Sequence, residues 1–185
     1  MKVKNIYKSI FALSLVIAVV SCKHDPSSNI TMISSSLNPN EKLENTFEVH
    51  LNAKINLNDE FRIYYTTQKD PNFSENQVVR TKVFGFEEYQ TIVYKLPKDD
   101  YPTNLRFDFG FNKNQKPLQL NNLTLLMHKK QITISGSELT DYFSLMEGSI
   151  EYDKKQKELK ILINDTHLPI IFAKESLLKR MAQLF

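Results

Sequence analysis

The chain has 185 residues, 41% of them hydrophobic with 12 Phe and 8 Tyr, enough for one domain with a sizeable core. Its 24 Lys and Arg exceed its 21 Asp and Glu, but Lys2, Lys4 and Lys8 fall in an opening stretch without acids. The remainder is balanced at 21 against 21 with its bases spread among acids, so charge gives no argument for nucleic acid and that class is set aside, and the single Cys22 excludes an intrachain disulfide.

In chain order, the basic opening leads into an apolar run over 10–20 whose one polar residue is Ser14. That run is short for a membrane span and lacks the polar face of a core helix, the two alternatives to an export signal. It closes on Val19-Val20-Ser21-Cys22, which resembles the processing site of bacterial lipoprotein precursors. The resemblance implies that residues 1–21 are a lipoprotein signal peptide and that Cys22 is the lipidation site, bearing palmitate and opening the mature chain. It also implies a place in the bacterial cell envelope, on the periplasmic or surface face of the outer membrane, with the membrane as a partner through the lipid anchor. Residues 22–45 then comprise the lipidated Cys and a flexible tether, rich in Ser and Asn and extended by Asp25-Pro26 and Asn38-Pro39. Ile30, Met32 and Ile33 are compatible instead with a first strand. Residues 46–185 form the folded domain.

Within that domain the apolar period becomes two. Phe47, Val49, Leu51, Ala53 and Ile55 alternate with Glu48, His50, Asn52 and Lys54, the pattern of a strand with one buried face. A turn over 56–60 leads to Phe61, Ile63 and Tyr65 alternating with Arg62, Tyr64 and Thr66, and the two strands read as adjacent. A polar loop over 68–76, containing Asp70-Pro71-Asn72, follows. Further strands are read at 77–83, at 90–96 with Ile92, Tyr94 and Leu96 inward, and after Pro102, where Leu105, Phe107 and Phe109 alternate with Arg106 and Asp108. Beyond a polar turn over 110–116 come Leu118 and Leu120, then 123–127 and 131–134. A short helix over 137–146, a hairpin of 148–152 with 158–164, a strand over 170–172, and a C-terminal helix or frayed tail over 174–185 complete the chain. The pattern predicts an all-β fold, an antiparallel, jelly-roll-like β-sandwich with a short helix and a C-terminal helix.

Three segments carry a resemblance: Asp59-Glu60-Phe61-Arg62-Ile63-Tyr64-Tyr65, then Tyr89 to Leu96 closed by Pro97, then Leu105-Arg106-Phe107-Asp108-Phe109-Gly110. Together they resemble a β-sandwich accessory module of bacterial glycosyltransferases and surface-polysaccharide proteins. In that module an acidic turn leads into a Tyr-Tyr strand, a second strand ends in Leu-Pro, and an LRxD strand precedes Gly. The resemblance implies a non-catalytic, carbohydrate-binding role, here without the catalytic domain of the larger proteins. Strand period places Arg106 and Asp108 on one face about 6–7 Å apart. They can offer a donor fork and an acceptor to sugar hydroxyls, or else pair with each other or with a facing strand. Arg62 and Tyr64 share that outward face if the strands are neighbours, giving a polar and aromatic patch suited to a sugar ring. Arg62, Tyr64, Arg106 and Asp108 are therefore the candidate ligand-binding residues. The expected partner is a polysaccharide or an envelope protein, the latter through a sheet edge or the apolar side of 177–185.

Other chemistry is sparse. His24, His50, His128 and His167 lack zinc-site spacing, so no metal ligands are assigned. Asp59-Glu60, Asp99-Asp100 and Asp165 offer hard oxygens but in no EF-hand order. Neither a nucleophile elbow nor a phosphate-binding Gly loop occurs, so no catalytic residue and no cofactor is assigned, and a lipoprotein hydrolase is the lesser alternative.

Overall fold

The computed structural model describes residues 45–163 and 168–185, together with the backbone of 30–32. The residues read as a signal peptide, Cys22 and most of those read as a tether lie outside the described residues, as do Asn164, Asp165 and His167. The elements are β1 (Ile30–Met32), β2 (Glu48–Lys54), β3 (Asp59–Thr66), β4 (Val78–Val83), β5 (Gln90–Lys95), β6 (Asn104–Asp108), β7 (Leu118–Met127) and β8 (Lys130–Ser135). A 3-10 turn (Gly136–Glu138) runs into α1 (Leu139–Tyr142), followed by β9 (Phe143–Leu145), β10 (Ile150–Asp153), β11 (Glu158–Ile161), β12 (Ile170–Ala173) and α2 (Glu175–Met181).

Phe47, Val49, Leu51, Ala53 and Ile55 are each at most 2% exposed, so the alternation read in the sequence is the alternation of core and surface. All pairings are antiparallel, in two sheets. In one, β7 is central: β2 and then β5 lie on one side of it, and β8 and then β1 on the other. The β10–β11 hairpin joins beside the start of β7, where Leu159 pairs with Leu118. The second sheet runs β4–β3–β6–β12–β9.

The chain crosses repeatedly between the sheets, and this corrects one reading. The strands on either side of 56–60 are not neighbours, because β5 and β7 take both edges of β2 while β3 pairs with β4 and β6 in the facing sheet. A bulge explains the uneven pattern of β7. The register with β2 shifts between Asn52 and Ala53, skipping Asn121, so Leu118 and Leu120 face the core in one phase and Leu123, Leu125 and Met127 in the next.

Aromatic contacts stitch the core together. Phe107 meets Phe143 edge-on at 5.5 Å between centroids, and Phe61 meets Phe109 in the same way at 5.5 Å. The helix read over 137–146 stops at Tyr142, since Phe143 is drawn into the core and Phe143–Leu145 pairs with β12. At the C-terminus, Leu177, Met181 and Leu184 are at most 1% exposed. These three residues, part of the apolar side read above as a contact for a protein partner, pack into the protein's own core, while Phe185 of the same segment is 42% exposed. Among the described residues, no helix is long and apolar enough to cross a membrane.

Phe107→Ala removes a ring that is 2% exposed and contacts two others, and is expected to cost about 3–5 kcal/mol of stability in urea denaturation. Phe84→Ala, at a ring 65% exposed, should stay within about 0.5 kcal/mol of the parent.

Candidate ligand-binding site

The pairing of β3 with β6 sets Arg62 opposite Asp108 and Tyr64 opposite Arg106, so the four candidate residues form one patch on the outer face of the second sheet. Arg106 donates from Nε to Asp108 Oδ1 at 2.8 Å and from its terminal nitrogen to Oδ2 at 2.6 Å, while its guanidinium lies 4.4 Å from the Tyr64 ring centroid. Arg62 donates to Glu60 at 2.9 Å and stacks 4.6 Å from the Phe111 ring. From β12, Ile170 stands opposite Asp108 and Phe172 opposite Arg106.

This patch is assembled but covered. Asp108 is 2% and Tyr64 5% exposed, and the 67–77 loop folds back over them. The loop sets Phe73 against Phe172 at 6.3 Å and brings Glu75 to accept from the Tyr64 hydroxyl at 2.7 Å and from Arg80. Tyr64 is pushed above its ordinary pKa by burial and by its bond to Glu75. Glu75 is held below the usual carboxylate value, first by that Tyr64 bond and then by the charges of Arg80, Arg62 and Arg106. Of the two sequence readings of Arg106 and Asp108, the geometry is that of mutual pairing.

A second feature, missed in the sequence, lies at the end of the sandwich where β2 finishes. The Asp59 carboxylate accepts from the backbone N–H groups of Glu60 at 2.8 Å, Phe111 at 3.0 Å and Asn112 at 3.1 Å. Gly110 makes this possible: its φ is +83°, and a Cβ there would sit 2.2 Å from the carboxylate. Gln115, 7% exposed, clamps both the N–H and the carbonyl of Leu57 at 3.0 Å. Asn58 accepts from Asn112 through its carbonyl at 3.1 Å and from the Gly85 N–H through its side chain at 2.8 Å. Phe86 N–H donates to the Ile55 carbonyl at 2.7 Å, and the Gln90 amide to the Phe84 carbonyl at 2.8 Å.

The 84–89 loop is thus fixed at three points, and on that rigid frame it exposes Phe84 (65%), Phe86 (57%) and Tyr89 (50%). Phe111, on the loop braced by Asp59, is 41% exposed. Beside them a cleft of about 470 Å3 is lined by Asn56, Leu57, Gly85, Phe86, Glu87, Glu88 and Lys116. The signal in the sequence is Phe84-Gly85-Phe86 placed between two strands, outside the alternation that fills the core.

The remaining polar candidates serve local structure. His50 pairs with Glu48 at 2.7 Å and His128 with Asn45 at 2.8 Å. Asp99 accepts from Asn45 at 2.9 Å and Asp100 from the Tyr65 hydroxyl at 2.6 Å. Among the described residues, no group of three or more His, Cys, Asp or Glu stands close enough together to hold a metal ion.

Comparison with protein-family models, with curated proteins and with solved structures finds no match, so the functional reading rests on this geometry. Arg106→Ala would leave the buried Asp108 carboxylate without its bidentate partner, and is expected to cost about 3 kcal/mol in chemical denaturation. Replacing both, with Arg106→Met and Asp108→Leu, should recover most of that loss, because no unpaired charge remains.

Proposed function

We propose that the protein is a non-catalytic glycan-binding module, held at the bacterial cell envelope by a lipid on Cys22. The observation that carries this reading is the trio of exposed aromatic rings on the pinned 84–89 loop. Exposed rings on a moving loop would lose conformational entropy on meeting a ligand, and a braced loop avoids most of that cost. Sugar rings present flat C–H faces to aromatic side chains and hydroxyls to polar ones. Asn56, Glu87, Glu88 and Lys116 supply donors and acceptors in the adjoining cleft. Glu87 and Glu88 also place negative charge beside the aromatics, which disfavours the surface of an anionic bilayer as the occupant.

The test is a calorimetric screen of the purified protein against neutral envelope and dietary-type oligosaccharides, followed by the Phe84→Ala/Phe86→Ala double variant. The expected outcome is binding by the parent and at least tenfold weaker binding by the variant, about 1.4 kcal/mol, at an unchanged melting temperature. Equal affinity in the two proteins would remove the aromatic end from the site. Silence of a folded parent across the screen would overturn the glycan reading.

A further inference from the structure

We propose that the outer face of the β3–β4–β6 region is a carboxylate-binding site which the protein's own Glu75 occupies, and that a uronic-acid-bearing glycan displaces it. The proposal takes its ligand class from the glycan reading, but its site is a different one.

Charge on the strands gives the first reason. The outward residues of β3, β4 and β6 include Arg62, Arg80, Lys82 and Arg106 against Glu60 and Asp108, a net of two positive charges on the sheet itself. Arg62 and Arg80 stand directly opposite each other across β3 and β4, an arrangement that is unfavourable without an intervening anion. Glu60 answers Arg62 and Asp108 answers Arg106, both from within the strands. The anion that answers Arg80 comes instead from the loop, and it is the one that can leave.

The seat of Glu75 gives the second reason. Its carboxylate takes the Tyr64 hydroxyl and the Arg80 guanidinium, with Arg106 stacked on the same Tyr64 ring, yet its side chain remains 69% exposed. A carboxylate carried on a sugar ring can approach from solvent along the same line and accept the same two donors. The electrostatics agree, since Arg80, Arg62 and Arg106 all favour the ionised form of whatever acid stands there.

The covering loop gives the third. Ser74, next to Glu75, has its hydroxyl oxygen buried with no hydrogen-bond partner, so the closed loop leaves a polar group unsatisfied that opening would return to water. Hydrogen bonds tie the two ends of the loop, with Thr67 bonded to Asp70 and Gln77, and Gln77 to Tyr65 and Ser74, while its middle meets the sheet through Phe73 on Phe172 and Glu75 on Tyr64 and Arg80.

The experiment titrates the full protein with oligogalacturonate and, as the uncharged counterpart, with its methyl ester, in the parent, Glu75→Gln and Arg80→Ala. Both positions are exposed, and near-ultraviolet circular dichroism checks that each variant keeps its packing. Glu75→Gln keeps the shape of the loop but removes its charge, so oligogalacturonate should bind about tenfold more tightly than to the parent. Arg80→Ala should bind it at least tenfold more weakly than Glu75→Gln, and the ester should show no gain with Glu75→Gln. No gain on Glu75→Gln, or an equal gain for the ester, would overturn the proposal. Neutral-glycan binding and its dependence on Phe84 and Phe86 are unaffected by either result, so the two proposals fail separately.

Discussion

One carboxylate supports the geometry of both surfaces proposed above as binding sites. Asp59 stands at the first position of β3 and accepts three backbone N–H groups, two of them from the loop that leaves β6. The contact requires the missing Cβ of Gly110 and its positive φ. By tying the start of β3 to the end of β6 it supports the register that puts Arg62 beside Asp108 and Tyr64 beside Arg106. The same braced loop reaches Asn58 through Asn112, and Asn58 in turn holds Gly85, so one of the three points that fix the aromatic loop traces back to Asp59. Loss of this clasp would therefore be felt both at the charged face and at the aromatic loop.

The sequence made the buried face of each strand legible but not the neighbour of each strand. Alternation at Phe47 through Ile55 depends only on which side meets the core, and every one of those residues is buried. Whether β2 pairs with β3 depends on which edges are already taken, and that is decided by β5 and β7, distant in sequence. Helical spacing over 137–146 misled for a related reason, because Phe143 satisfies a helix face and a strand face equally well until Phe107 is present to receive it. Asp59 at the start of β3 and the Gly after β6 belong to motifs far apart in the sequence, and in three dimensions Asp59 and Gly110 stand against each other.

The candidate residues show the same division. That Arg62, Tyr64, Arg106 and Asp108 share a face followed from period two once β3 and β6 proved to be neighbours. That the face is covered could not follow, because the cover is a polar loop whose placement depends on Phe73 finding Phe172 and Glu75 finding Tyr64. Balanced composition also hid a local imbalance. The domain is close to neutral, yet the outward side of β3, β4 and β6 carries more bases than acids until Glu75 arrives.

Two surfaces of opposite character thus meet at Arg62. Its guanidinium pairs with Glu60 on the charged face and stacks on Phe111 at the aromatic end, so the two are contiguous through one side chain. The aromatic end is open and rigid, and a ligand there meets a surface already in place. The charged face is closed by a loop, and a ligand there must first replace a carboxylate. A polymer held at the open end would present its next residues to the closed one at high effective concentration, which makes displacement of Glu75 an intramolecular step. On this view the weak, uniform affinity expected of stacking supplies the hold, and the arginines supply the choice between charged and neutral chains.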